Sequence, residues 1–501
     1  MLHNHYFALK NNLFLVLSIF FIIFHSFILL PTNALSKKYI VSATTNSKNW
    51  ESAEWILFPD TPRCTPCTPQ SAMKNAKPGD TIYFRGGEGG NYDLYPKKHW
   101  SVPELNPTYS GQIGNPITFT AYPGEIPVLK NKNIDCQKTS DGCAYPLIGS
   151  QGKDFIIWDG FQLGLTMNKK NEGNPTIRFE NCKNCELINS YIYIVSNYDD
   201  LYKSNYMGIY LKNCINTNIK NNFITGGNLM GEKKGQSFSS AILMYTCSNT
   251  IIENTTIMNT GNGIGDKSLG RNNIYRNNFL SNTGTYGLWF GGASGNKSSA
   301  RGNKAYQNII VLNNKYARGI KIDNDSTGTS HGDAFDIYNN VIYAPEKAKI
   351  AIHAENPTND RYWNNIISGV FTYATLLMDG PNGNPKYIDF NAYNGNQKFV
   401  MKRHEPDKVI YHSFKEWREK GQLADGKRPE NKSFYEDSGF INPTVHNPNG
   451  FKLSKHSLCR QAGKNGEHIG AYPKDNSRPI GCSLSGIYPL LPPKDLMIVK
   501  D

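Results

Sequence analysis

The sequence predicts an all-β chain wound as a right-handed parallel β-helix, and three observations predict it. A six-residue word recurs down the middle of the 501 residues: apolar or aromatic, any residue, Asn, Asn, any residue, Ile. Its copies begin at Ile157, Leu187, Ile219, Ile252, Tyr275, Ala305, Ile337 and Tyr362. The corner column reads Asp159, Asn189, Asn221, Asn254, Asn277, Gln307, Asn339 and Asn364, in steps of 23 to 33 residues. A repeat of that period marks a solenoid. Asn tolerates left-handed backbone at a corner, and stacked Asn side chains can bond along the axis. The third observation is a second strand word after each corner, starting at Thr176, Gly208, Ala241, Gly263, Gly287, Gly319 and Lys349.

Residues 1–34 read as a secretory signal: Lys10, an apolar run from Leu13 to Leu30, then Thr32, Asn33 and Ala34 before a cut near Leu35. A retained anchor is the rival, because that run is near spanning length. After cleavage no segment is expected in a membrane, and the chain is expected to be a monomer that is secreted, periplasmic or on the cell surface. Residues 35–115 form a lead-in and cap, with a short helix at 70–77. Coils fill 116–375. Residues 376–501 form an irregular C-terminal region with a helix at 414–419, closing strands at 451–453 and 469–472, and a tail at 489–493.

Ten Cys suit an oxidising setting, with local disulfides expected for Cys64/Cys67, Cys136/Cys143 and Cys459/Cys482. Cys182, Cys214 and Cys247 follow the coil spacing and are expected to stack as small buried residues. No His cluster accompanies the two Cys-x-x-Cys pairs, which argues against a zinc reading. The 24 Phe and 29 Tyr argue against disorder. A net charge of +13 suits an acidic partner. The Lys and Arg are dispersed and no nucleic-acid motif is present, so an acidic polysaccharide is expected rather than nucleic acid.

Strand side chains alternate. The second and fourth positions of the strand word, such as Ile320 and Ile322, are apolar and must line the core. The third and fifth therefore face out: Arg178/Glu180, Tyr210/Lys212, Leu243/Tyr245, Gly265/Lys267, Trp289/Gly291, Lys321/Asp323 and Ala351/His353. Aromatic faces stack on sugar rings, and cations hold carboxylates. Tyr210, Lys212, Tyr245, Trp289 and His353 are thus candidate substrate-binding residues. An ordinary solvated β-face is the plainer alternative. Asp266 falls on a core-facing position, so either the strand stops at Gly265 or that coil is distorted. Asp323 and Asp325 begin an Asx-rich loop whose alternating oxygens are candidate calcium ligands, or a plain turn.

The 78–87 and 114–125 blocks and the Gly466…Ile469-Gly470-Ala471-Tyr472-Pro473 ending resemble secreted right-handed β-helix repeat proteins. Gly319-Ile320-Lys321-Ile322 resembles the strand of pectate lyases that use lysine as base, which points to Lys321. Lys267-Ser268, with the stretch to Gly291, resembles alginate lyases and chondroitinase B, which points to Lys267. The chain departs from both at the calcium carboxylates. What these resemblances imply is β-elimination on a uronate polysaccharide, with Lys267, Lys321 and Arg318 supplying base and cation. The alternative is a non-catalytic carbohydrate-binding or adhesion protein. Hydrolysis is less expected, because the one Asp-Asp pair, Asp199-Asp200, lies in a loop.

Overall fold

The computed structural model describes residues 38–41 and 68–474, the latter with breaks at 87–90, 95–101, 132–145, 168–174, 197–205, 227–238, 269, 292–301, 324–334, 358, 381–382, 397 and 403–407. The signal-like segment, Cys64, Cys67, Cys136, Cys143, Cys482, Asp325 and the tail lie outside the described residues.

The chain is a right-handed parallel β-helix with three faces. The first face is a twelve-stranded sheet from Lys38–Val41 through Thr81–Phe84 and Ile117–Ala121 to Tyr387–Asp389. The second and third faces form one larger sheet. Thr256–Lys267, Phe279–Gly291, Val341–Glu355 and Ile366–Asp379 pass unbroken from one to the other. Every described strand ladder is parallel except one, Phe399–Lys402 against Lys408–Tyr411. Such connections between parallel strands are right-handed almost without exception. The ladders therefore extend beyond 116–375 in both directions, and much of 376–435 continues the winding.

The repeated word works through two different Asn columns. The first Asn adopts left-handed backbone, with φ of 51° to 56° from Asn189 to Asn364, Gln307 included. The first copy is one residue out of step: Asp159 pairs with Ile188, so Gly160, at φ 81°, holds the corner. The second Asn turns inward. Asn278 Nδ2 donates to Asn308 Oδ1, Asn308 to Asn340 and Asn340 to Asn365, each at 3.0 Å, and Asn365 to Asn391 at 3.1 Å. All five are buried. Inside, these bonds satisfy backbone and amide groups that water does not reach.

Two helices close the ends. Helix α1 (Pro69–Asn75) is capped by Thr68 and buries Ala72 and Met73 at the N-terminal end. Helix α2 (Phe414–Lys420) is capped by Ser413. It lays Trp417 parallel to Phe399, with centroids 5.7 Å apart. Beyond it the chain returns along the outside. The segments at 451–453 and 469–472 are not closing strands of the solenoid. Phe451, Leu453, Ile469 and Tyr472 pack on Phe279, Ile309, Val341 and Ile366, making a second core on the outer side of the second face. Asn339 Nδ2 donates to His468 O at 2.9 Å and ties this strap to the corner column. No described helix is long and apolar enough to cross a membrane.

The five described cysteines, Cys182, Cys185, Cys214, Cys247 and Cys459, are buried free thiols. Cys182 and Cys214 stack with sulfurs 3.5 Å apart, as contacts rather than a bond.

Asp266 does not end its strand, which continues to Lys267. Its carboxylate is fully buried and accepts from Asn273 and Asn303 at 2.9 Å and from Tyr275 at 2.6 Å. The irregularity lies upstream, in a register shift between Thr260 and Asn262. Two more buried carboxylates also meet a tyrosine: Asp360 with Tyr362 and Glu430 with Tyr393. Burial pushes Asp266 up to about 6 and Asp360 and Glu430 up to about 7. Acids raised in the folded state hold more protons there than in the unfolded chain, so their stabilising contribution is full near pH 4 and is lost as pH rises through 6 to 7. The thermal midpoint is therefore expected to fall over that window, and Asp360→Asn to flatten the slope. A midpoint that climbs from pH 4 to 7 in both proteins would refute this.

Candidate functional site

Two outward columns run along the third face. One carries Tyr210, Leu243, Gly265, Trp289, Lys321 and His353 on successive coils. The other carries Lys212, Tyr245, Lys267, Gly291, Asp323, Glu355 and Asp379. The word starting at Lys349 is two residues out of step: Ile352, not Ile350, pairs with Ile320. His353 is therefore a third-position residue beside Lys321, and the fifth position belongs to Glu355. Ala351 falls level with Gly319 and is not part of the outward pair.

The columns converge between Lys267 and Asp379. Gly291 has φ 125°, and a Cβ there would come within 2.7 Å of the Asp323 Cβ. That glycine lets the Trp289 indole reach across, its Nε1 donating to Asp323 Oδ2 at 2.6 Å. Lys267 Nζ stands 4.2 Å from the Trp289 ring centroid and 5.8 Å from that of Tyr245. Lys321 Nζ lies 2.5 Å from Asp323 Oδ1 and 3.6 Å from Glu355 Oε1. Arg318 donates to Tyr286 Oη at 3.2 Å, and Tyr286 packs 5.4 Å from Trp289. His353 is 7% exposed with both ring nitrogens unbonded, its Nε2 3.8 Å from Glu355 and 3.9 Å from Asp379.

These contacts separate the two candidate lysines. Burial lowers the Lys267 amine, with Asp323 only partly opposing. Burial also acts on Lys321, but Asp323 outweighs it and holds that ammonium above the usual lysine range. Burial, then Arg318 and Lys321, lower Lys349. Burial and Asp323 push Glu355 up to about 7. Burial pushes His353 down against the pull of Asp379. One side of the site is thus cationic, with Arg318 and Lys321 5.5 and 5.9 Å from the Tyr286 ring and Lys349 within the field of both. The other is a line of carboxylates on consecutive coils.

Tyr210 and Lys212 lie several coils away. Tyr210 stacks against Arg178, 4.6 Å from its ring, and lies 5.8 Å from Tyr245. Lys212 pairs with Glu180 at 3.2 Å. Burial would raise Glu180, but Arg178 and Lys212 bring it below the usual carboxylate range. This end of the stripe is a closed ion-pair network. Tyr245 is the link between it and Lys267.

Asp323 has one oxygen on Lys321 and the other on Trp289, and its companion candidate Asp325 lies outside the described residues. No group of three His, Cys, Asp or Glu is arranged to hold a metal among the described residues. Sequence reasoning missed Glu355, Asp379, Tyr286 and Lys349. The signal for Glu355 was available in the alternation Ala-Ile-His-Ala-Glu, which matches Gly-Ile-Lys-Ile-Asp at 319–323.

No family model matches the chain, and no curated protein matches it in sequence. Solved structures do resemble it. Pectate lyase Pel9A is 15% identical with a TM-score of 0.46, covering 87% of this chain and 96% of that one. An alginate lyase from Paenibacillus sp. str. FPU-7 is 16% identical with a TM-score of 0.41, over 62% of this chain and 95% of that one. A GH136 lacto-N-biosidase from Eubacterium ramulus is 12% identical with a TM-score of 0.43, over 72% and 64%. Likeness at this level concerns how the chain winds and says nothing about what the third face does.

Proposed function

We propose that this is an exported protein that binds an acidic polysaccharide across the third face and cleaves it by β-elimination. The observation that carries the reading is the division between the two lysines: Lys267 rests on Trp289 with its amine lowered, while Lys321 is fixed as a cation by Asp323. A uronate carboxylate docks against Arg318, Lys321 and Lys349, with sugar faces on Tyr286 and Trp289. Neutral Lys267 takes the proton α to that carboxylate, and the neighbouring cations stabilise the enolate that forms. Protonated Glu355 gives its proton to the departing glycosidic oxygen as the C4–O4 bond breaks and the C4–C5 double bond forms. Lys267 and Glu355 stand three coils apart, about 14 Å between backbones. The reaction requires both side chains to reach one glycosidic linkage, Lys267 at the C5 hydrogen and Glu355 at O4. The apolar run from Leu13 to Leu30 makes export part of the same proposal.

One observation favours a second reaction. Lys321 gathers an oxygen of Asp323 at 2.5 Å and one of Glu355 at 3.6 Å, and hydrolysis is the reaction that uses two carboxyl groups at one site. The fold brings these acids together across coils rather than along one strand. Product analysis separates the two. Elimination yields a chain end absorbing in the ultraviolet, while hydrolysis yields new reducing ends without absorbance. Polygalacturonate, alginate and chondroitin are the substrates to offer. New reducing ends without absorbance would replace the lyase reading, and neither signal on any polymer would leave a binding protein.

A further inference from the structure

The outer column of the first face stacks Tyr306, Tyr338 and Trp363, with centroids 4.8 and 4.4 Å apart and planes 9° and 2° apart. These rings spend their faces on one another, so that ladder is packing. The stack then stops. Tyr387, on the last strand of the face, stands at 64° to Trp363 with centroids 6.5 Å apart, and no further strand of that sheet follows it among the described residues. A turn sits beyond it instead, fixed by Ala424 N donating to Pro385 O at 3.0 Å. A hollow of about 480 Å³ lies between, lined by Asn359, Arg361, Lys386, Tyr387, Asp425 and Lys464. That volume is in the range of small-ligand sites.

The charges of the hollow are unevenly matched. Arg361 is held by Asp336 at 2.6 and 2.7 Å, and Asp425 by Lys427 at 2.7 Å. Neither Lys386 nor Lys464 forms a salt bridge among the described residues. Lys464 is fixed by its backbone, whose N–H donates to Asn364 Oδ1 at 2.7 Å. Its ammonium stands 5.2 and 4.9 Å from the Trp363 and Tyr387 rings. An aromatic face with two unmatched cations at its rim suits a sugar ring that bears an anion. The ring's C–H face packs on the tyrosine, and the anion takes the ammonium groups.

We propose that this hollow is a second saccharide site, taking a sugar unit that carries a carboxylate or a sulfate ester. It uses no residue of the third face, and the elimination reading enters only through the choice of probes. Titrations use the full chain carrying Lys267→Met, so that no probe is consumed by elimination. Hexagalacturonate, hexamannuronate and a chondroitin sulfate hexasaccharide are the anionic probes, and cellohexaose is the neutral one. At least one anionic probe is expected to bind in a phase that Lys386→Gln with Lys464→Met weakens about tenfold, the worth of one charge-assisted hydrogen bond. Adding Arg318→Gln is expected to leave that phase unchanged. The probe that responds tells carboxylate from sulfate. Lys386→Glu, at an exposed position, is expected to weaken the same phase at least as much without altering the unfolding midpoint. The absence of any anionic-probe phase that the double variant weakens, or a cellohexaose phase as tight and as sensitive to these substitutions, would overturn the proposal. Each of these differs from a failure of the third-face reading, which appears as an absence of unsaturated product.

Discussion

Lys267→Met is expected to slow formation of unsaturated product by two to four orders of magnitude, the usual worth of a positioned general base. The substitution keeps the alkyl stem over Trp289 and removes the amine. Binding of an oligouronide is expected to change far less, because Arg318 and Lys321 still meet the carboxylate. Lys321→Met is expected to behave differently. It removes a cation held 2.5 Å from Asp323, so binding and rate fall together. The pH profile should carry the signature of an acid and a base. Glu355 must be protonated and sits near 7, while Lys267 must be neutral and sits below the ordinary lysine value. Activity then rises with pH as Lys267 loses its proton, levels off above about 7 as Glu355 loses its own, and falls beyond the Lys267 value, which lies below 10.5. The limbs belong to the interacting groups together. Glu355→Gln should abolish the alkaline fall, which is the loss of the Glu355 proton, and leave activity rising until Lys267 is neutral. A Lys267→Met enzyme as fast as the parent would reject the assignment.

Asn308→Leu is expected to destabilise the fold by about 3 to 5 kcal/mol, read as a shift in the denaturant midpoint at constant slope. Asn308 is fully buried and occupies the middle of the interior ladder. Its Nδ2 donates to Tyr275 O at 2.9 Å and to Asn340 Oδ1 at 3.0 Å, and its Oδ1 accepts from Asn278 N and Nδ2. Leucine removes all four bonds and leaves Asn278 N without its acceptor in a dry interior, while Asn340 Oδ1 keeps Asn308 N and Asn278 Nδ2 keeps Ile252 O. Asn277, one residue earlier, has φ 56° and serves the corner instead. Asn277→Gly is expected to cost little, because glycine accepts the left-handed region freely. Equal losses at both positions would show that the two columns do not divide the work in this way.

The winding was legible because the word repeats, and a repeat converts residue numbers into faces. Stacking of Cys182 on Cys214 and the outward placing of Trp289 and Lys321 follow from that alone. The division between the two Asn columns was not legible, since both positions carry the same residue and differ only in where the backbone turns them. The step at Lys349 failed for a related reason. Register shifts between Ala344 and Ile350 lengthen that coil relative to its neighbour, and an apolar alternation keeps its parity when it slips by two. His353 stayed on the outer face, but Glu355 was lost from the site. The strap at 451–472 reads as strand because Phe451, Leu453 and Ile469 are apolar. Its partners, Phe279 and Val341, are more than a hundred residues away, and no local pattern announces a second core. The contrast between Lys267 and Lys321 likewise depends on Asp323 and Glu355 arriving from different coils.

The central claim is that substrate lies across the third face at Lys267. It is tested most directly by a crystal structure of the Lys267→Met protein with an uncleaved hexauronide. The account predicts sugar units running from Tyr245 past Trp289 to His353, one carboxylate against Arg318 and Lys321, and a glycosidic oxygen beside Glu355. A hexauronide bound elsewhere with the third face bare, or one lying there with no carboxylate near Lys321, would contradict it.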